Sequence, residues 1–331
     1  MTNIRFDVLG IGNAIVDVMA QVDDSVLTAQ GVAKGGMTLI DTPRAVALYA
    51  AMGPAIEASG GSAANTMAGI ASLGGRAAFI GRVRNDEFGA VFAHDIRAIG
   101  VHYDTPPATD GAPTAQCLVM VTPDGQRSMN TYLGASQALG PEHVEPALIE
   151  AAGIVYLEGY LWDPPEAKDA FRKAMTIARE AGRKVAFTLS DAFCVARYRA
   201  EFQALINEGQ IDILFANEHE ILSLCEVERF EDVLPKMRGK VPVMALTRSE
   251  KGSVVMRGGE MEIIAPEPIA KVVDSTGAGD LYAAGFLFGL ARGRDLKTCG
   301  RLGSLCAAET LAHMGPRPAA SLAKLAASRG L

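Results

Sequence analysis

The chain has no cysteine pairing pattern, no long hydrophobic run and no basic cluster, and each absence removes a class of protein. Its five cysteines, Cys117, Cys194, Cys225, Cys299 and Cys306, are scattered and odd in number, without a CxxC pair. That argues against a disulfide framework or a zinc site and for a reducing, cytoplasmic setting. No stretch of roughly 18 uncharged apolar residues occurs, and the most apolar segment, residues 281–290, is too short to span a bilayer. Residues 1–7 lack the apolar core of a signal peptide. Lys and Arg total 31 against 38 acids, a net charge of −7. With no aromatic-basic stripe to track a phosphodiester backbone, neither a nucleic-acid nor a membrane partner is expected. The histidines show no metal spacing, since His219-Glu220 lacks the second His of HExxH. There is no P-loop either: Gly239-Lys240 is followed by Val241. Gly10-Ile11-Gly12 imitates a dinucleotide fingerprint, but Ile15 stands where its third glycine is needed and Asp17 follows too soon to be its ribose acid.

What is present is an alternation. Short β-branched runs at 6–10, 77–81, 154–158, 184–189, 213–216 and 243–246 are each followed by a helix-length piece, including 65–73, 87–99, 165–181 and 300–313. Strands buried on both faces read this way, so the main body should be a parallel sheet between helices. At 331 residues the chain suffices for one large α/β domain or two smaller ones. Residues 18–40 and 114–133 break the alternation and read as strand and turn, with Pro123-Asp124-Gly125 a hairpin turn. They could be surface hairpins or edges that pair copies of the chain. Residues 317–331 read as a surface helix or frayed tail.

The most informative residues are Asp274-Ser275-Thr276-Gly277-Ala278-Gly279-Asp280, which run into an apolar helix. Residues 269–273 read as a strand delivering this turn. Gly277 and Gly279 have no Cβ to block a phosphate, and the free N–H groups of a helix start carry roughly half a positive charge. Asp280 in the first turn could accept a proton from a hydroxyl that attacks a phosphoryl group held over the glycines. The plainer alternative is a glycine turn joining a strand to a helix.

This segment resembles the carboxy-terminal signature of the ribokinase-like, or PfkB, family of carbohydrate and nucleoside kinases. Residues 60–65 (Gly60-Gly61-Ser62-Ala63-Ala64-Asn65), with Leu73-Gly74-Gly75 and residues 79–89, resemble its amino-terminal pattern. The resemblance covers about residues 6–315. It implies a ribokinase-like three-layer α/β/α sandwich with a mainly parallel central sheet and a small β-sheet lid. The large domain would comprise 1–17, 41–113 and 134–331, and the lid 18–40 and 114–133.

It also implies roles. Asp280 is the base, with Gly277, Ala278 and Gly279 forming the anion hole. Asp17 matches the sugar-binding aspartate, with Asn13 beside it; Gly61 offers backbone access, Asn65 an amide and Ser62 a further contact. Asn217-Glu218-His219-Glu220 resembles an Asn-x-x-Glu motif in which Asn217 touches phosphate and Glu220 holds Mg²⁺ through water, although an Asn cap with Glu three residues on is common. Thr247 and Gly252 would contact ATP in a turn where Ser249 replaces a family glycine, and Ser304 and Ala307 would border the base. Asp274 would either help hold a monovalent cation such as K⁺ or cap the turn. Residues 10–17, 187–193 and 212–218 are most similar to the adenosine kinase branch, where Cys117 would line the nucleoside pocket. Leu161 stands where that branch has a stacking aromatic and Met37 where it has a polar residue, which leaves Tyr160 or Trp162 to stack. Arg127 could bring charge to the phosphoryl group or be a solvated lid residue. The expected activity is ATP-dependent transfer to a primary, 5′-type hydroxyl of a nucleoside, adenosine first, in a monomer or homodimer. A free-sugar kinase and a non-catalytic binder on the same scaffold are the alternatives.

Overall fold

A computed structural model describes residues 4–331. Its strands are β1 (Phe6–Ile11), β2 (Ile15–Gln21), β3 (Met37–Leu39), β4 (Ala55–Gly60), β5 (Ala77–Ile80), β6 (Ala115–Val121), β7 (Arg127–Tyr132), β8 (Ala152–Glu158), β9 (Lys184–Thr188), β10 (Ile213–Asn217), β11 (Val243–Thr247), β12 (Ser253–Arg257) and β13 (Glu260–Ile264). Eight of them form a central sheet in the order β13-β12-β11-β10-β9-β8-β1-β5. From β5 to β11 the pairing is parallel, and β12 and β13 close one edge as antiparallel strands.

Every residue of β1 is buried, as a strand covered on both faces requires. The cover is helical. One apolar cluster joins the sheet to helices Pro165–Glu180, Ala192–Asn207 and Glu218–Cys225, and a second joins it to Ser62–Ser72, Ala278–Ala291 and Leu296–Leu311. These are the three layers expected. Helix Ala278–Ala291 buries most of its circumference, including Leu281, Tyr282, Phe286 and Leu287. A helix this apolar all round belongs inside, and its docking aims its first turn at one end of the sheet.

The second sheet has five strands in the order β3-β7-β6-β2-β4. It differs from the expected lid in three ways. β2 starts at Ile15. The stretch 18–40 contains a short helix, Asp24–Gln30, which buries only Leu27 and is too brief to show a period in sequence. A full strand, β4, comes from residues assigned to the large domain and pairs with β2 from Ile15↔Gly60 to Ala20↔Ala55. Its sequence, rich in Ala, Ser and Gly, has little intrinsic strand preference, and the pairing overrides it.

Two other expectations change. Residues 269–273 form no strand: Val272 and Val273 are exposed, and the Val273 N–H donates to Leu311 O at 2.8 Å, at the end of a helix and not on a sheet. The helix expected from Asn65 begins at Ser62. In the carboxy-terminal stretch the expected surface helix is Leu322–Ser328, whereas Arg317 ahead of it is drawn inward.

Candidate active site

The chain passes between the two sheets four times, and the first two crossings are tight. β1 enters β2 through Gly12, Asn13 and Ala14, and β4 enters helix Ser62–Ser72 through Gly61. Gly61 has φ 95°, and a Cβ there would stand 2.2 Å from the Asn13 carbonyl oxygen. Only glycine lets the crossings press together. Glu158, the last residue of β8, clamps them: its Oε1 accepts from the backbone N–H and Nδ2 of Asn13, both at 2.7 Å, and its Oε2 accepts from the Ala63 N–H at 2.7 Å. Ser136 Oγ donates to Asn13 Oδ1 at 2.8 Å. Burial pushes the Glu158 carboxyl up to about 7, against the pull of these donors. Sequence reasoning gave Glu158 no role. The available signal was a charged residue closing an apolar strand at the carboxyl edge of a parallel sheet, where ligands bind.

Asp280 lies in the first turn of helix Ala278–Ala291, across from the second crossing. Ser62 Oγ donates to its Oδ1 at 2.6 Å and Asn65 Nδ2 to its Oδ2 at 3.0 Å, while Thr66 Oγ1 donates to its main-chain oxygen at 3.1 Å. Burial raises its pKa; the bonds from Ser62 and Asn65 and the charge of Arg317 oppose the rise. Ser62 and Asn65, expected on the sugar, thus hold the carboxylate in place. Asn65 Oδ1 is left buried without a partner, an acceptor still to be filled.

Asp17, on β2, lines the same cleft, whose volume is about 640 Å³. Among the described residues no protein donor hydrogen-bonds its carboxylate. Burial pushes Asp17 up to about 7, with Arg317 and Arg127 pulling it down. Asp17, Cys117 and Thr131 lie abreast on β2, β6 and β7, and all three line the cleft. The Cys117 thiol is pushed up to about 12 by burial, so it lines the wall as a neutral group. The small sheet roofs the cleft with this face.

The two glycines of the anion turn do different work. Gly277 is left-handed, φ 78°, and a Cβ would meet Pro316 Cβ at 2.6 Å, so its bareness serves the turn and its packing rather than a phosphate. At Gly279 a Cβ would meet nothing within 4 Å; this is the open side. Ser275, Thr276, Gly277 and Gly279 line the cleft, and Ala278 starts the helix without lining it.

Asp274 does not fit a monovalent cation. Its Oδ1 accepts from the Thr276 N–H at 3.0 Å, and its Oδ2 accepts from the Gly315 N–H at 2.9 Å and pairs with Arg127 Nη1 at 2.5 Å. It caps the turn, and its charge is already met. Arg127 also donates to Thr276 Oγ1 at 3.2 Å. Far from being solvated, this guanidinium on β7 is buried and ties the small sheet to the glycine turn.

Asn217, Glu220 and Thr247 line the cleft. Asn217 and Glu220 also form a capping box: Glu220 N–H donates to Asn217 Oδ1 at 2.9 Å, and Asn217 N–H and Nδ2 donate to Glu220 Oε2 and Oε1 at 2.9 and 2.5 Å. Cap and cleft wall are therefore one feature. Each Glu220 oxygen takes a single donor and keeps a lone pair for water. Burial pushes Glu220 up to about 7, and a divalent cation nearby would favour its ionised form, so the pair fits water-mediated Mg²⁺. No cluster of three or more His, Cys, Asp or Glu able to hold a metal directly occurs among the described residues.

Besides Ala278, five expected contacts do not line the cleft. Gly252 supports a turn whose Cβ position is filled by Ile264 O, and Ser304 Oγ ties the 265–267 backbone; Ala307 also lies outside. Leu161 and Trp162 are fully buried in the core, Trp162 against Phe171, Phe187 and Phe202. Neither can stack on a ligand. Tyr160 and Met37 do line the cleft, joined by Leu39 and by Phe193, a residue 76% exposed.

No helix among the described residues is long and apolar enough to cross a membrane. Residues 56–322 match the pfkB family of carbohydrate kinases. The fold superposes on adenosine kinase from Sinorhizobium meliloti with a TM-score of 0.91 and 54% identity over 99% of this chain and 100% of that one. It superposes on a probable sugar kinase protein from Rhizobium etli CFN 42 with a TM-score of 0.92 and 50% identity over 98% and 99%. Fructokinase-1 of Oryza sativa subsp. japonica is 30% identical over 260 residues, covering 76% of this chain and 80% of the rice protein. The match, the three-layer fold and the acid at the glycine turn agree: the chain belongs to the pfkB carbohydrate kinase family and is a phosphotransferase acting on an alcohol group.

Proposed function

We propose that the chain transfers the γ-phosphoryl group of ATP to the primary, 5′-type hydroxyl of a nucleoside, adenosine foremost. The observation that carries this reading is the apolar rim of the cleft. Met37 and Leu39 on the small sheet and Phe193 on the first turn of helix Ala192–Asn207 are 47%, 53% and 76% exposed and all line it, as does Tyr160. A free sugar would leave these surfaces wet, whereas a planar base would cover them and offer a π face to Phe193 or Tyr160. Phe193 answers for the aromatic missing at Leu161. The resemblance to adenosine kinases supports the same acceptor; likeness to a fructokinase keeps a hexose as the second reading.

In this mechanism Asp17 and Asn13 take the sugar hydroxyls, Asn13 held in its rotamer by Glu158 and Ser136. Asp280, aimed by Ser62 and Asn65, receives the proton of the attacking hydroxyl. The N–H groups of Gly277, Gly279 and Asp280 face the developing charge on the transferred group, with Arg127 beside them. ATP supplies the phosphoryl group, and Mg²⁺ near Asn217 and Glu220 would neutralise its oxygens. Closure of the small sheet keeps water from competing as acceptor.

The test is acceptor-dependent ADP formation with a panel of nucleosides, ribose and hexoses, run on the native protein and on Phe193→Ala. Adenosine should be preferred, and the substitution should raise the nucleoside KM about tenfold, in keeping with about 1 kcal/mol or more for a lost stacking contact. A preference for a free sugar, indifferent to Phe193, would overturn the reading.

A further inference from the structure

Arg317 belongs to a stretch whose sequence suggests a surface tail, yet its Nε and Nη1 are buried without a hydrogen-bond partner. Its Nη2 donates to Ser59 Oγ at 3.0 Å; Ser59, on β4, in turn donates from N–H and Oγ to Asp95 Oδ2 at 2.7 and 2.6 Å. The backbone just before it is pinned by the Gly315 N–H on Asp274 and by Pro316 packed against Gly277. The guanidinium is therefore held from both sides at the edge of the cleft. An arginine stays charged, and a buried charge with idle donors is tolerated only where opposite charge faces it.

Ser59, which takes the Arg317 hydrogen bond, also donates to Asp95 and adjoins Gly60, where a Cβ would stand 2.4 Å from Asp17 Oδ2. Asp95 and Asp17 therefore lie close by, and with Asp280 they are the acids whose charge acts on the guanidinium. Asp95 is occupied by Ser59, and Asp280 by Ser62 and Asn65. Asp17 has no donor. The other groups facing Asp17 are Arg127, Asp280, Asp274 and the Cys117 thiol in register on β6. Arg127 is already neutralised by contact with Asp274, and the two aspartates work against a charge on Asp17. We propose that Arg317 is a positioning residue for the acceptor, its charge keeping the Asp17 carboxylate in the form that accepts hydrogen bonds from sugar hydroxyls. This rests on the reading that Asp17 holds the acceptor.

The experiment measures adenosine affinity by calorimetry without ATP, across pH 5.5 to 9, for the native protein, Arg317→Gln, Arg317→Lys, Asp17→Asn and Asp17→Asn/Arg317→Gln, with ATP affinity and Tm alongside. Removing the cation makes Asp17 harder to ionise, so in Arg317→Gln the acid-side loss of binding should move to higher pH. A shift of about one pH unit, with binding about tenfold weaker near neutrality, is the expected size. ATP affinity should hold, the Lys variant should keep the native limb, and in the Asp17→Asn background the second substitution should shift nothing further. An unmoved limb in Arg317→Gln, even with a lowered Tm, would mean that Arg317 only braces the tail. A shift that survives in the Asp17→Asn background would give its charge to Asp280 instead. If Arg317→Gln does not fold, a shifted limb in Arg317→Lys, where the charge remains, overturns the proposal. Asp17→Asn alone distinguishes the underlying reading: unchanged adenosine affinity there would sink the acceptor assignment itself.

Discussion

Asp280 experiences opposing influences that together make it serviceable as a base. The helix start and the donors Ser62 and Asn65 favour its charge, while burial raises its affinity for a proton. A carboxylate in that balance can take a proton during attack without holding one beforehand. Asp280→Asn keeps the shape and removes the basicity, so kcat should fall by about 10² to 10⁴ while ATP affinity stays close to native. Single-turnover and steady-state assays would check this, and a loss below tenfold would take the proton-accepting role from Asp280. This residue was legible in the sequence because the turn and the acid are neighbours in the chain. Glu158 was not: its three N–H donors come from Asn13 and Ala63, which adjoin it only across the sheet.

The turn that opens helix Ala278–Ala291 has one packed glycine and one open one. Gly277→Ala forces a side chain into left-handed backbone, which costs about 1–2 kcal/mol before any clash with Pro316 is counted. Gly279→Ala meets no atom and sits within the helix, where alanine is favoured by about 0.5–1 kcal/mol. Thermal melts should therefore show Gly277→Ala destabilised and Gly279→Ala unchanged or stabilised. ATP titrations should show Gly279→Ala with a raised KM, its new methyl occupying the open side of the turn. A stable Gly279→Ala with native KM would remove the phosphate from that side. The same scale explains the missed strand. β4 carries little strand preference of its own and exists because β2 offers it six paired positions.

Across the whole molecule, burial of acids at the cleft links stability to pH. Asp17, Glu158 and Glu220 are each pushed up to about 7, from ordinary values of 3.8 for the aspartate and 4.5 for the glutamates. Between those ordinary values and about 7 the folded chain binds more protons than the unfolded one, so the ligand-free protein should lose stability as pH rises through that window. Acids with depressed pKa act lower down. Asp124, pulled to about 2 by its Lys34 hydrogen bond, and Glu218, lowered by Arg248, contribute stability that is lost only as pH falls below the usual carboxylate range. Melting temperature should thus peak near pH 5 and decline toward pH 8, with a shallower decline in Asp17→Asn. A Tm that climbs steadily from pH 5 to 8 would contradict the burial of these groups.

The alternation of apolar runs and helical pieces, the glycine turn with its acid, and the two motifs of the family are local in the chain. Local pattern therefore determined the layered sheet and the chemistry class, and it pointed to Asp17, Asn13 and Asp280, which the fold brings to one cleft. What only the tertiary structure decided depends on groups far apart in sequence: that Asn65 and Ser62 hold Asp280, that Arg127 meets Asp274, that Leu161 and Trp162 face the core while Phe193 faces the cleft, and that Arg317 meets Ser59 on β4. Side-chain direction and buried charge pairing follow from which surfaces pack together, and no stretch of chain carries that information by itself.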